Sequence, residues 1–586
     1  VATLVATGCG GGGGGDSTGA ATTPVTTPVT TPVTTPEPAP VTVLTDPLFP
    51  YQWHLANSGQ DTLSSTRPVP GIDLNLDGLH AAGVRGTGVR VAIVDSGLDI
   101  RHDDLQANVV AGGSVNFLNG SADPTPGALD PDHGTAVAGV VAARGWNGVG
   151  GRGVAPEAML QGFNYIKAQT VANRITSLGG AGSSIPVQVF NLSIGAENLE
   201  IVPISTTQIE AYDQFLASTR GARGGVYIKA AGNSFSSMAN VDCSLAQRRG
   251  VGCVNSNFEA FNNLLAMTVV GAVNAAGKRS SYSTPGASLL VAGLGGEYGG
   301  HRDQVPGRPD VLYEPAILTT DLSGCDRGYH RNIGISINAL DTVGPSSLDP
   351  SCDYTAMFTG TSAATPSVAG VAAMMLQVNP ALTQREVQYL LATTARRVDY
   401  PGTPVTYEGV VIDDAWVVNG AHRAFSNAFG FGLVDARAAV AAARDGSGLA
   451  APRRLDWLSA QPVSPEAIPY RDGAGSRGRI PITVNDALTV ETVQVSFSTT
   501  HRDPAKLRVT LVSPSGTRSI LVWPFSGLKP LTGTTTAGFG ADLMRSNAFL
   551  DEKAQGTWQL EVVDVSAPSG TSTAQFTNWS LRIAGR

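Results

Sequence analysis

No run of roughly 18 or more apolar residues occurs in the sequence, so no membrane-spanning helix is expected. Charge is scarce. Asp, Glu, Lys and Arg make up 15% of residues, and the net charge of −8 argues against a nucleic-acid partner. The one Gly-x-Ser-x-Gly, Gly15 to Gly19, sits in a glycine run with no apolar strand before it, and the glycines Gly86 and Gly88 precede a strand rather than follow one. The first context, without the strand–turn–helix that a nucleophile elbow needs, argues against an α/β-hydrolase esterase, and the second excludes a dinucleotide-binding turn. Cysteines are few, five in 586 residues. Cys9 stands alone, and Cys243, Cys253, Cys325 and Cys352 allow three pairings. The local pairs, Cys243–Cys253 and Cys325–Cys352, fit an oxidising compartment, and four free thiols are the other reading. What is abundant is glycine, 70 residues, with serine and threonine, in a chain long enough for two or three domains.

Three stretches carry chemistry. Val89 to Val94 is a β-rich apolar run, the pattern of a buried parallel strand, and it ends in Asp95-Ser96-Gly97. His133-Gly134-Thr135 opens a helix of small residues. Phe358 to Gly370 reads as a tight turn feeding a helix, with Ser362 at its start beside free first-turn N–H groups. Taken singly these are a turn aspartate, a lone histidine and an N-cap serine. In the order Asp–His–Ser they resemble the three signatures of subtilisin-like serine proteases over residues 46–443. Asp46 to Phe49 with Gln52 to Leu55 is similar to the start of the mature kexin and furin-like proprotein convertases.

The resemblance implies an α/β fold with a subtilisin-like parallel sheet and flanking helices. It implies a serine endopeptidase acting on protein or peptide substrates. Ser362 would be the nucleophile, His133 the base and Asp95 its orienting acid. Asn233, after the strand-like Tyr227 to Ala231, would be the oxyanion donor. Ser193, Ile194 and Gly195 would pair with substrate backbone. Glu259 would sit in the first specificity pocket and favour a basic side chain, with Asp242 as a second candidate. The departures Ala196-Glu197-Asn198 and Thr284 weigh against a strict dibasic requirement. A non-catalytic surface binding protein that keeps the fold is the alternative. Calcium is implied on the side chains of Asp46, Asp104 and Asn147 and the carbonyls of Arg144, Val149 and Gly151, an all-oxygen set. A second calcium site looks degraded, because Asn198 and Thr284 replace its acids.

Elsewhere the pattern predicts helices over 74–84, 381–395 and 437–443, and short alternating strands from Ile480 onwards. The strands read as an all-β sandwich resembling the convertase P domain. The expected layout is a signal-peptide tail over 1–9, a Gly- and Thr/Pro-rich linker over 10–44, a catalytic domain over 45–445, a linker over 446–465 and the P domain over 466–586. Val1 to Cys9 resembles the end of a bacterial lipoprotein signal, which implies lipidation of Cys9 and an outer-membrane or cell-surface tether. An incidental cysteine is the other reading. The expected location is extracytoplasmic and the expected state monomeric. Residues 10–45 offer no foldable propeptide, so either that unit lies outside this sequence or something else assists folding, for which an external folding chaperone or inhibitor is the candidate.

Overall fold

The computed structural model describes residues 45–129, 132–180, 186–195, 204–237, 242–460, 464–471, 478–526, 538–568 and 570–586. The expectations for Cys9, for the 10–44 spacer and for Ala196, Glu197 and Asn198 lie outside them.

Among the described residues, six parallel strands form the central sheet: β1 (Arg90–Val94), β2 (Met159–Phe163), β3 (Val189–Leu192), β4 (Val226–Ala230), β5 (Met267–Val273) and β6 (Leu289–Leu294). Their order is β2-β1-β3-β4-β5-β6. Val91, Ala92 and Ile93 of β1 are fully buried, as a strand covered on both faces must be. The helices are α1 (Gly134–Ala142), α2 (Val171–Ser177), α3 (Thr206–Ala222), α4 (Ser244–Arg249), α5 (Thr361–Val378), α6 (Gln384–Thr394) and α7 (Ala436–Asp445). α5 runs through the core, with every residue from Thr361 to Leu376 buried. Its small side chains permit this: a Cβ on Gly370 would come within 2.5 Å of Val154 Cβ. A hairpin of β7 (Ile317–Thr320) and β8 (Tyr354–Phe358) leads into α5. Disulfides join Cys243 to Cys253 and Cys325 to Cys352, the local pairing.

The helix expected over 74–84 does not form. Consecutive turns replace it, because Gly78 and Gly83 take left-handed φ of +73° and +76° that a right-handed helix excludes. The helix expected over 381–395 starts later, at Gln384. There Thr383 and Glu386 close a capping box, each satisfying the other's backbone N–H.

Downstream lie two antiparallel sheets. One contains the strands Val490–Thr499, Gly540–Ser546 and Thr571–Gly585; the other contains Arg479–Val484, Leu507–Val512, Arg518–Val522 and Gly556–Asp564. Phe497, Phe576, Trp558 and Trp579 are wholly buried in this sandwich. Within 446–465, Arg453–Arg454 and Leu458–Ala460 pair with Thr571–Gly585 and so extend its sheet. The sandwich docks on the first domain through polar groups that are almost fully buried. Arg545 Nη1 donates to the carbonyls of Leu264 and Met267 at 2.8 and 2.7 Å, and Gln494 Nε2 donates to that of Asn263 at 2.7 Å. Burial lowers the Arg545 guanidinium to about 10, with the charge of Asp213 opposing the shift.

Candidate active site

β1 stops at Val94, so Asp95 stands at the carboxyl end of the sheet, where α/β folds place chemistry. Ser96 links it to the next element. Its Oγ accepts from the N–H groups of His133 and Gly134 at 3.3 and 3.0 Å, filling orphan donors at the start of α1. His133 Nδ1 then lies 2.8 Å from Asp95 Oδ1. Asp95 is completely buried, whereas 28% of the His133 side chain is exposed, so the imidazole bridges protein interior and cavity. Burial on its own lowers the imidazole. The charge and hydrogen bond of Asp95, with Asp132 behind them, outweigh it and hold His133 above its ordinary value. The Phe358 ring meets the imidazole edge-on at 5.6 Å.

Gly360 takes φ of +97°, open to glycine but not to a bulky residue, and turns the chain from β8 into α5. Ser362 follows in the first helical turn, and its hydroxyl donates to the Ser193 carbonyl at 3.3 Å. Pro366 lies four residues on and has no N–H to give the Ser362 carbonyl. Ser193 Oγ fills that vacancy at 2.9 Å. Asn233 Oδ1 accepts from the N–H and Oγ1 of Thr361 at 2.8 and 2.9 Å. With the oxygen engaged, its NH2 group is the part of the amide available to a ligand.

One cavity of about 710 Å³ is lined by His133, Ser193, Ile194, Gly195, Asn233, Glu259 and Ser362. Asp242 is not part of this lining. It is exposed, and it accepts from the Ser244 N–H at the start of α4. The cavity also holds a residue that the motifs did not single out. Lys229 Nζ lies 2.8 Å from Glu259 Oε2. A lysine within the otherwise apolar strand Val226–Ala230 was the available signal, since a buried ammonium requires a partner.

The predicted calcium residues gather in a separate corner. Asn147 Nδ2 donates to Asp104 Oδ1 at 2.8 Å, and the Asn147 N–H donates to Asp46 Oδ1 at 3.2 Å. The Arg144 N–H donates to the Asp104 carbonyl at 2.7 Å, and the Val149 N–H donates to Asn147 Oδ1 at 3.2 Å. Gly151 lies between Gly150, whose carbonyl accepts from Leu48, and Arg152. Arg152 Nη2 stands 2.7 Å from Asp46 Oδ2, while the Arg152 guanidinium stacks on Phe49 and Trp146. Asp104 Oδ2 is buried without a well-aligned hydrogen bond. Burial, with the nearby charge of Asp46, pushes the Asp104 carboxyl up to about 8, against hydrogen bonds that pull the other way. Two close, buried carboxylates with an unmatched oxygen fit a hard cation.

Residues 86–432 match the model of the subtilase family, and residues 490–583 match that of the proprotein convertase P-domain. The chain is 39% identical to the Aeromonas extracellular serine protease of Aeromonas sobria, over 92% of this chain and 87% of that one. It is 28% identical to the dibasic-processing endoprotease of Schizosaccharomyces pombe, over 92% of this chain and 66% of the other. A solved complex of the Aeromonas sobria serine protease with the chaperone superposes with a TM-score of 0.82 at 37% identity, covering 93% of this chain and 95% of that one. With a parallel sheet, a cavity lined by His133 and Ser362 with the buried Asp95 held against His133, and a C-terminal all-β domain, the chain belongs to the subtilase family of serine proteases and carries a C-terminal P domain.

Proposed function

We propose that the chain is a calcium-stabilised, extracytoplasmic serine endopeptidase in which Ser362, His133 and Asp95 act together. The observation that carries this reading is the 2.8 Å Asp95–His133 contact at the wall of the cavity that Ser362 and Asn233 also line. Ser362 attacks the scissile carbonyl as His133 takes its proton, and Asp95 holds the imidazole and stabilises its cation. The Ser362 hydroxyl leaves the Ser193 carbonyl as it turns to His133, an adjustment expected when substrate binds. The Ser362 N–H and the Asn233 NH2 receive the oxyanion. His133 then hands its proton to the leaving amine, and water resolves the acyl-enzyme. The segment Ser193–Gly195 supplies backbone groups to an extended substrate.

Asp46, Asp104 and Asn147, with the carbonyls of Arg144, Val149 and Gly151, would hold calcium. Bound there, calcium would supply charge compensation for Asp104, whose Oδ2 lacks a well-aligned hydrogen bond, beside an Asp46 that already pairs with Arg152. Glu259 supports a preference for substrates with a basic side chain. The two disulfides and the extracellular Aeromonas relative support a location outside the cytoplasm. The chaperone complex of the related Aeromonas enzyme supports an external chaperone for this chain. Labelling by a fluorophosphonate tests the site: it is expected in the wild type and absent in Ser362→Ala. Labelling that survives in Ser362→Ala would overturn the assignment.

A further inference from the structure

The acid that lines the cavity is already paired. Lys229 rises from the floor of the sheet with only 3% of its side chain exposed. Its Nζ has three protons and three acceptor groups: the Glu259 carboxylate, with Oε1 and Oε2 each at 2.8 Å, the Ile194 carbonyl at 3.0 Å and the Ala230 carbonyl at 3.2 Å. The Glu259 side chain is 18% exposed, so its carboxylate still reaches the cavity. The segment that would pair with substrate passes over this contact. A Cβ on Gly195 would lie 3.2 Å from Glu259 Oε2 and 3.9 Å from Lys229 Nζ. The first pocket therefore holds a neutral ion pair rather than a bare anion.

We propose that Lys229 is a specificity-determining residue that occupies, from inside the protein, the cationic position facing Glu259. A basic substrate side chain has to share or displace that ammonium, and a neutral side chain finds a pocket without net charge to oppose it. Discrimination between basic and neutral side chains is accordingly weak, and Lys229 sets its size. The inference rests on the proposed endopeptidase reading and refines its substrate class.

The test is kcat/KM on a peptide series differing only at the residue before the cut, with Arg, Gln, Leu or Glu there. Each enzyme is counted by fluorophosphonate titration, so folding losses do not enter the ratios. Lys229→Met is expected to raise the Arg-to-Gln ratio by about tenfold or more, the scale of one charge-assisted hydrogen bond. Glu259→Gln, which strands the ammonium, is expected to lower it and improve cleavage after Glu. Lys229→Met combined with Glu259→Gln should return the ratio towards that of the wild type. If Lys229→Met does not fold, Lys229→Gln is expected to shift the ratio in the same direction. An Arg-to-Gln ratio that is unchanged or lower in the Lys229 variants overturns the proposal. Failure of the wild type both to label and to cleave any peptide would instead overturn the endopeptidase reading.

Discussion

At the scale of single residues, each group around Ser362 has one task and a separable cost. Asp95 holds His133 above its ordinary value of 6.5, so the fold favours the imidazolium. That contribution to stability is complete below the ordinary value and is lost as pH rises through the raised one. Catalysis runs the other way, since only the neutral imidazole accepts a proton. kcat/KM is expected to climb with pH through a midpoint above 6.5. Asp95→Asn should move that midpoint down and lower kcat by roughly 10⁴. Asn233→Ala is expected to lower kcat by about 10²–10³ with little change in KM, since the role proposed for the amide is to receive an oxyanion present only in the transition state. A pH–rate series and steady-state kinetics check both. These residues were legible in the sequence because each ends a strand or opens a helix, positions that local pattern marks. Lys229 was legible as an anomaly but not as a pair, since Glu259 lies thirty positions on and only the fold joins them.

At the scale of elements, the start of α5 joins two conflicting requirements. Ser362 needs an open first turn, and Pro366 opens it further by withholding a donor from the Ser362 carbonyl. Ser193, in the turn after β3, closes the gap. Ser193→Ala is therefore expected to cost about 1–3 kcal/mol, the scale of a buried acceptor left unpaired. Combining it with Pro366→Ala, which restores a helical N–H, should recover part of that loss. Denaturant melts of the two single variants and the double variant give the coupling directly. The proposed calcium corner is also an element-scale device, tying the Asp46 segment to the loop over 144–152. Chelation is expected to lower the thermal midpoint of the wild type and to have a smaller effect on Asp104→Asn. Sequence pattern located the strand at 90–94 and the helix beginning at Gly134. It failed at 74–84, where apolar spacing suggests a helix and two left-handed glycines interrupt it.

At the scale of the whole molecule, the sandwich and the protease share a polar seam that the sequence did not disclose, because its partners are hundreds of positions apart. Asn257 Nδ2 donates to the Arg545 carbonyl at 2.7 Å, and Asn255 Nδ2 donates to that of Leu521 at 2.8 Å. Gln494 holds the Asn263 carbonyl from the same side. These bonds clamp residues 255–263, the stretch that carries Glu259 to the cavity wall. Arg545→Met is expected to strip donors from two buried carbonyls, lower the unfolding midpoint and raise KM more than it lowers kcat. Differential scanning calorimetry and kinetics on one preparation check this.

The same seam bears on self-digestion, a hazard for any protease at high concentration. The connection over 446–465 contains exposed residues, among them Ala450, Ala451 and Pro452, where another copy of the enzyme can cut. Severing the chain there leaves Arg545, Gln494 and Asn547 in their acceptors, so the two fragments stay together. A nicked molecule would run as two bands on a denaturing gel and as one active species in solution. Loss of the intact band is therefore a poor clock for loss of the enzyme.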